Sequence, residues 1–296
     1  MLDVLIVGAG PSGLSAAIYL GRARKDFVIL DKGIPGGAII NTSSIENYPG
    51  FVNIDGVTLA TNMLMQLKNL GISVKREQVI KIIKEDDYFI IKTNVSEYQS
   101  KRIILALGMK NNKLGLLKEE KYIGRGISFC ALCDGNLYKD KDVIVVGGGN
   151  SALEESLYLA NICKSVTLIH RRDTFRADKV ITDNVIENNK INLELNANIM
   201  DIIEEDNEFK GVLLDNGKKI LGSALFEYIG MQPSTTFLKE DFSVILDDNN
   251  FIITDDNMET LVKGMYAIGD CIKKSTRQIA TAVGDGAKCA NIISKL

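Results

Sequence analysis

The strongest constraint on this chain is that part of it occurs twice. Asp3-Val4-Leu5-Ile6-Val7-Gly8-Ala9-Gly10-Pro11-Ser12-Gly13-Leu14 returns as Asp142-Val143-Ile144-Val145-Val146-Gly147-Gly148-Gly149-Asn150-Ser151-Ala152-Leu153. The offset of 139 residues persists downstream, where Tyr19-Leu20 matches Tyr158-Leu159. Each copy reads as an apolar strand, a Gly-rich turn, a helix and a second apolar strand, Phe27-Val28-Ile29-Leu30 in one and Val166-Thr167-Leu168-Ile169 in the other. Strand, G-x-G-x-x-G/A and helix in that order form the dinucleotide-binding βαβ unit. The first glycine makes the tight turn, the second lets backbone approach a pyrophosphate, and the third position lets helix and strand pack closely. The helix N-terminus supplies amide donors to phosphate. The expected fold class is therefore α/β with two Rossmann-like dinucleotide-binding domains. The candidate nucleotide contacts are Gly8, Gly10, Pro11, Ser12 and Gly13 in the first copy, and Gly147, Gly149, Asn150, Ser151 and Ala152 in the second.

The copies diverge where nucleotide choice is made. The residue 23 positions beyond the first glycine is Asp31, followed by Lys32, in copy one and His170 in copy two. A carboxylate there accepts hydrogen bonds from ribose hydroxyls, which reads as FAD or NAD. Copy two runs on as His170-Arg171-Arg172-Asp173-Thr174-Phe175-Arg176, and its three arginines suit a 2′-phosphate, which reads as NADP.

Between the copies lies Phe129-Cys130-Ala131-Leu132-Cys133-Asp134-Gly135. At this spacing, with a turn between them, two sulfurs come within disulfide range, and a dithiol at a helix start has a lowered thiol pKa. Asp134 is placed to carry protons for the pair. One C-x-x-C is also half of a zinc site, so the motif alone leaves redox and metal readings open. The chain has five cysteines, an odd number that suits a reducing cytoplasm, where a close pair is catalytic more often than structural. Cys163, Cys271 and Cys289 are singletons, read as buried thiols. A net charge of −3 argues against nucleic acid. With no run of 18 apolar residues and a strand pattern at the N-terminus, neither a membrane span nor a signal peptide is expected. His170 is the sole histidine.

Elsewhere the pattern is coarser. Gly33 to Gly50 is turn-rich and expected to pass over a cofactor. Val57 to Leu70 has helical spacing at Leu59, Met63, Leu64 and Leu67, with Met63 and Met65 read as helix packing. Residues 72–105 and 191–230 read as short strands, with Asp215-Asn216-Gly217 as a hairpin turn. Lys110–Lys121 and Gln232–Asp241 are read as inter-domain crossings, and Lys118–Lys121 as a solvated face. Gly264-Met265-Tyr266-Ala267-Ile268-Gly269-Asp270 reads as a strand ending in an amide and a carboxylate. Arg277-Gln278-Ile279 opens a helix running through Ala290.

Together these motifs resemble the low-molecular-weight, bacterial-type thioredoxin reductases, class II of the pyridine nucleotide-disulfide oxidoreductases. The resemblance spans essentially the whole chain. It rests on the two Gly motifs, Glu46-Asn47-Tyr48-Pro49-Gly50-Phe51, Gly124-Arg125-Gly126, Cys130-x-x-Cys133-Asp134-Gly135, His170-Arg171-Arg172 with Arg176-Ala177, and Gly269-Asp270 through Arg277-Gln278. It implies a cytoplasmic homodimer with one FAD per subunit, NADPH as donor and thioredoxin as protein substrate. The implied architecture is three-layer ββα, with residues 114–244 forming an NADPH domain inserted between FAD-domain segments 1–113 and 245–296. Gly36, Gly37, Asn47, Gly108, Gly269, Asp270, Arg277, Gln278 and Ile279 are implied on the flavin side. Cys133 is then the sulfur facing the flavin, Cys130 the one that exchanges with thioredoxin, and Asp134 the acid/base. Electrons would pass from NADPH to FAD to Cys130–Cys133 to thioredoxin, with domain rotation about the two crossings. Three positions depart from the pattern: Ala38 replaces Gln, Leu107 replaces Thr, and Leu117-Lys118-Glu119-Glu120 stands where Pro-Gly-Glu is usual. Some relatives take electrons from ferredoxin and lack the second nucleotide motifs. This chain keeps those motifs, which favours NADPH; a flavin-dithiol reductase with another donor or acceptor is the alternative.

Overall fold

The computed structural model describes residues 1–42 and 45–296. The stretch read as turn-rich includes Ser43 and Ser44, which lie outside the described residues. The chain opens with β1 (Val4–Val7), whose four residues are all buried. Their side chains alternate between two cores. Val4 and Ile6 join Leu14, Ala17 and Leu20 of the helix layer, while Leu5 and Val7 join Ile82, Phe89 and Ile91 on the other face. A strand covered on both faces reads as an unbroken apolar run. Helix α1 (Pro11–Arg22) begins on a proline, tolerated because the first-turn amide has no intrahelical acceptor. β2 (Phe27–Asp31) follows, then α2 (Gly56–Asn69), whose N-cap Asp55 accepts from Thr58 N at 2.9 Å. Met63 is buried on α2, but Met65 is exposed, because two residues along a helix point to opposite sides. Met65 is therefore not a packing residue. β3 (Val74–Arg76) precedes an antiparallel meander of β4 (Val79–Lys84), β5 (Phe89–Thr93) and β6 (Glu97–Ser100), after which come β7 (Ile103–Leu105) and β8 (Met109–Asn111).

The chain then runs through α3 (Glu119–Tyr122), β9 (Ile127–Ser128), α4 (Ala131–Asp134), β10 (Asp142–Gly147), α5 (Asn150–Ile162), β11 (Ser165–His170), α6 (Lys179–Glu187) and β12 (Ile191–Leu195). A second meander, β13 (Ile199–Glu205), β14 (Glu208–Leu214) and β15 (Lys219–Leu221), turns at Gly217, φ +80°, between its last two strands. After β16 (Leu225–Tyr228) and β17 (Met231–Pro233) come α7 (Lys239–Phe242), β18 (Met265–Ala267) and the closing α8 (Ile279–Ser294).

Two five-stranded parallel sheets result, ordered β18-β7-β1-β2-β3 and β9-β16-β10-β11-β12. The duplication thus extends to topology, each sheet carrying helices on one face and a meander on the other, the α/β three-layer arrangement. Contacts divide the chain into one unit of Met1–Lys110 with Gln232–Leu296 and another of Asn111–Met231. The inserted segment therefore ends at Met231 rather than at residue 244. The reason is packing: Leu238, Phe242 and Ile245 join Leu5, Val7 and Phe89 in the first unit's core, and Thr235 Oγ1 donates to Asn250 O at 2.7 Å. The strands at the two crossings, β8 and β17, pair with each other.

Lys118–Lys121 is not a solvated face throughout. Glu119 is 2% exposed and accepts the amides of Leu114, Gly115 and Leu116 at 3.0, 2.6 and 3.0 Å. Three aligned donors make a buried carboxylate tolerable. On β16, Glu227 is equally buried, and neither of its carboxyl oxygens has a hydrogen-bond partner among the described residues. Burial first, and then the charge of Glu119, push its pKa up to about 9. Glu227 is therefore a neutral acid in the folded chain, whereas an unfolded chain would ionise it above about pH 4.5. The unfolded state binds fewer protons in between, so this residue makes stability fall as pH rises toward 9. Glu227→Gln, isosteric and permanently neutral, should melt increasingly above the wild type between pH 5.5 and 8.5. Thermal scans at both ends check this, and an equal difference at the two pH values would contradict a protonated Glu227.

Candidate active site

The first Gly loop is closed by contacts that only glycine permits. Gly8 has φ +105°, and a β-carbon at Gly13 would overlap the Gly8 carbonyl. The Pro35-Gly36-Gly37 turn lies directly on the loop: Gly36 N donates to Ala9 O at 2.7 Å, and a β-carbon on Gly37 would come 3.0 Å from Gly10 Cα. Asp31 accepts from Ala9 N at 2.7 Å and Gly33 N at 2.8 Å, so the carboxylate braces the loop; Lys32 is exposed.

At the end of β18, Gly269 packs on Ser12, and its amide donates to Asp285 Oδ2 at 3.1 Å. Asp270 Oδ1 is buried without a hydrogen-bond partner among the described residues; Lys274 Nζ is 3.9 Å away. Burial raises the Asp270 pKa against the pull of Lys274 and Arg277. Arg277 itself donates to Asp270 O at 3.0 Å and Ile272 O at 3.1 Å, with its guanidinium 4.0 Å from the Phe251 ring centre, so it holds the Gly269–Ile272 turn in shape. Gln278 caps α8 and accepts from Asn47 Nδ2 at 3.2 Å. Asn47, Gln278 and Ile279, with Thr42, Ile45 and Glu46, line a cavity of about 530 Å³. Gly108 sits at φ +61° beside the half-buried Leu107. The unpartnered buried carboxyl oxygen and the glycine cradle fit a polyhydroxylated dinucleotide.

In the other unit Gly147 has φ +156°, and a β-carbon there would lie 2.6 Å from Ala152 Cβ and 2.5 Å from Tyr228 O. The His170 ring occupies the space over Gly148, so only glycine fits between the two motif glycines. Its Nε2–H donates to Thr174 O at 3.1 Å, and it stacks on Phe175 at 5.4 Å. Burial lowers the His170 pKa, with smaller contributions in the same direction from Arg172, Arg171 and Arg176. Arg176 N donates to Gly148 O at 2.8 Å, which folds the arginine-bearing loop back onto the glycines. The side chains of Arg171, Arg172 and Arg176 are exposed and make no hydrogen bond or ion pair among the described residues, a donor set that fits a phosphate. Asn150 exchanges hydrogen bonds with Asp178 at 2.9 Å each way; Gly149 and Ser151 lie beside it at the start of α5.

β9 delivers the chain to the cysteine pair. Cys130 and Cys133 form a disulfide with sulfurs 2.09 Å and Cα atoms 5.3 Å apart. Cys130 is the extended N-cap of α4, and its Sγ accepts from Cys133 N at 3.2 Å. That amide, together with the rest of the turn, would stabilise a thiolate on Cys130 once the bond opens. Ser128 Oγ donates to Asp134 Oδ2 at 2.6 Å and accepts from Cys130 N at 3.1 Å, tying the carboxylate to the turn. Gly135 lies under α5, where a β-carbon would come 3.0 Å from Ile162. The other cysteines, Cys163, Cys271 and Cys289, are buried in three separate cores and do not gather at the pair. Sequence reasoning missed Ser128, Tyr228 and Asp285, which carry no motif; Ser128 acts from two residues before Cys130, Tyr228 and Asp285 from farther along the chain.

Two dinucleotide-binding units in one chain, one of them carrying a C-x-x-C disulfide, define a nucleotide-dependent disulfide oxidoreductase. Residues 2–286 match the family described as pyridine nucleotide-disulphide oxidoreductase, and the chain belongs to that family. It is similar to a thioredoxin reductase of Mycoplasma genitalium, 42% identical over 289 residues that cover 96% of this chain and 91% of that one. It is similar also to one of Bacillus subtilis, at 38% over 298 residues, 98% and 93% of the two chains. The crystal structure of Lactococcus lactis thioredoxin reductase in its FR conformation superposes with a TM-score of 0.86 at 39% identity, covering 100% of this chain and 98% of that one. Among the described residues no helix is long and apolar enough to cross a membrane.

The thiol chemistry of the site is countable. Burial raises the pKa of each of the three free thiols, to about 11 for Cys271. The native oxidised protein should therefore react negligibly with a thiol reagent at pH 7.5. Denaturation without reductant should expose three thiols, and denaturation after reduction five. More than three in the unreduced denatured protein would deny the disulfide.

Proposed function

We propose that this chain is an NADPH-dependent flavoprotein that reduces the disulfide of thioredoxin. The observation that carries the reading is that the Cys130–Cys133 disulfide and the Gly loop with three unengaged arginines share one unit, while a second Gly loop lies in the other. Gly8, Gly10, Gly13, Gly36, Gly37, Gly269 and Asp270 would hold FAD, with Asn47 and Gln278 at the α8 end. Gly147, Gly149, Ala152, Arg171, Arg172 and Arg176 would hold NADPH. Bound FAD would supply two-electron chemistry between nicotinamide and disulfide.

The chain's own residues perform the exchange. After the pair is reduced, the Cys130 thiolate attacks one sulfur of the target disulfide, forming a mixed disulfide and releasing the other target sulfur as a thiolate. The Cys133 thiolate then attacks Cys130 Sγ, restoring the internal disulfide and releasing the second target thiolate. Asp134, held by Ser128, moves protons for the pair. Because disulfide and nicotinamide site share one unit, we infer that they reach the flavin in turn by rotation about the β8–β17 ribbon. The resemblance to bacterial reductases also supports a homodimer, which the mass in solution measures.

Anaerobic NADPH should bleach the flavin band, while NADH at equal concentration should do so far more slowly and reduced ferredoxin should offer no faster route. Arg171→Ala with Arg172→Ala should raise the KM for NADPH by about tenfold or more while leaving that for NADH nearly unchanged, since a charge-assisted hydrogen bond contributes about 1.5–3 kcal/mol. Cys130→Ser should still bleach with NADPH but lose thioredoxin turnover. A Cys130→Ser enzyme that turned over thioredoxin would overturn the assigned roles.

A further inference from the structure

Tyr228 belongs to none of the motifs, yet it is the hydrogen-bond partner of the redox turn's first helical amide. Ala131 N–H donates to Tyr228 Oη at 2.6 Å. Ala131 is fully buried, so no water can replace that acceptor. Tyr228 is the last residue of β16 and stands in register with Gly147 of β10. β16 lies between β9, which runs into Cys130, and β10, which runs into the second Gly loop. One side chain thus anchors the cysteine turn to the strand between its own support and that of the nucleotide loop.

The hydroxyl is neutral at any working pH. Burial above all, and then the negative charge of Glu155, raise its pKa. Glu155 sits on α5, the helix packed against α4, and its own Oε2 is buried without a hydrogen-bond partner among the described residues. With Ala131 N–H occupying one lone pair, the hydroxyl proton has no acceptor among the described residues of the oxidised chain and remains free to turn toward new negative charge.

We propose that Tyr228 is a positioning residue for the dithiol: by holding Ala131 N–H it keeps Cys133 N–H aimed at Cys130 Sγ, and so keeps the Cys130 sulfur anionic when the disulfide is open. Without it, a buried amide loses its acceptor, the first turn of α4 shifts to find another, and the Cys133 donor is drawn off the sulfur. Loss of the hydroxyl proton acts in the same direction. The proposal rests on the thiol–disulfide role of the pair, but its test need not depend on the electron donor.

Tyr228→Phe keeps the ring and its packing. The FAD-loaded protein and the variant are reduced with dithiothreitol, freed of it anaerobically, and alkylated with iodoacetamide from pH 5 to 10, with Cys130 followed by mass spectrometry. The alkylation midpoint of Cys130 should rise by about half to one pH unit in the variant, the size expected for one net hydrogen bond. Thioredoxin turnover should fall about three- to tenfold at neutral pH and recover as pH rises, while NADPH-driven bleaching of the flavin stays unchanged. Tyr138→Phe, a second tyrosine of the same unit, should leave the midpoint where it is. An unchanged midpoint in Tyr228→Phe would overturn the proposal even if wild-type turnover is as expected. A shifted midpoint in a protein that NADPH does not reduce would uphold it and refute the donor assignment instead.

Discussion

At Gly13 a helix and a strand meet with no room between them. A β-carbon there would overlap the Gly8 carbonyl, and one on Gly8 would overlap Ala106 O. This close approach puts the N-terminus of α1 at the carboxyl end of β1, where its unpaired amides face whatever lies beyond the sheet. The same contact recurs in the other unit, where Gly147 abuts both Ala152 and the Tyr228 carbonyl. There the third motif position carries a methyl, and Gly147 alone supplies the clearance. Everything placed around the two loops, from the Gly36–Gly37 turn to the His170 ring, packs on surfaces that these approaches create.

The repeat goes deeper than its motif. Aligned by topology, β10, β11, β12 and β16 correspond to β1, β2, β3 and β7, which leaves β9 as the counterpart of β18. In the first unit that strand arrives from the far end of the chain and runs into Gly269-Asp270; in the second it precedes its partners and runs into Phe129-Cys130. The disulfide therefore stands at the sheet position where the first unit presents a buried carboxylate. Sequence order hides the correspondence, because the strand has moved from the end of one copy to the start of the other.

What was legible in the sequence was local. Gly-rich turns, the C-x-x-C pair and the Asp31/His170 difference each lie within a short window, and the physics they encode acts over that window. What was not legible acts across it. Tyr228 reaches the redox turn from a strand end and Asp285 reaches Gly269 from a helix turn, with nothing in their flanks to announce it, whereas Ser128 lies within the window, two residues before Cys130, and bears no motif. Charge composition misled twice. Glu119 sits among lysines yet is buried on three amides, and Lys239-Glu240-Asp241 looks like a linker while Leu238 and Phe242 on either side are core residues.

The most informative comparison is between residues 31 and 170, equivalent under the repeat. Each touches the middle residue of its own Gly loop, Asp31 through Ala9 N and His170 by lying over Gly148. Asp31 does so as an acceptor and leaves negative charge beside the loop. His170 does so as a neutral ring: burial disfavours its cation, and three arginines without a side-chain partner among the described residues add to that. A histidinium there would add to an already repulsive cluster, whereas a phosphate would relieve it. The fold uses one geometric contact in both units, with a carboxylate beside the loop in one and a neutral ring among arginines in the other, so the duplicated scaffold presents two loops of different electrostatic character.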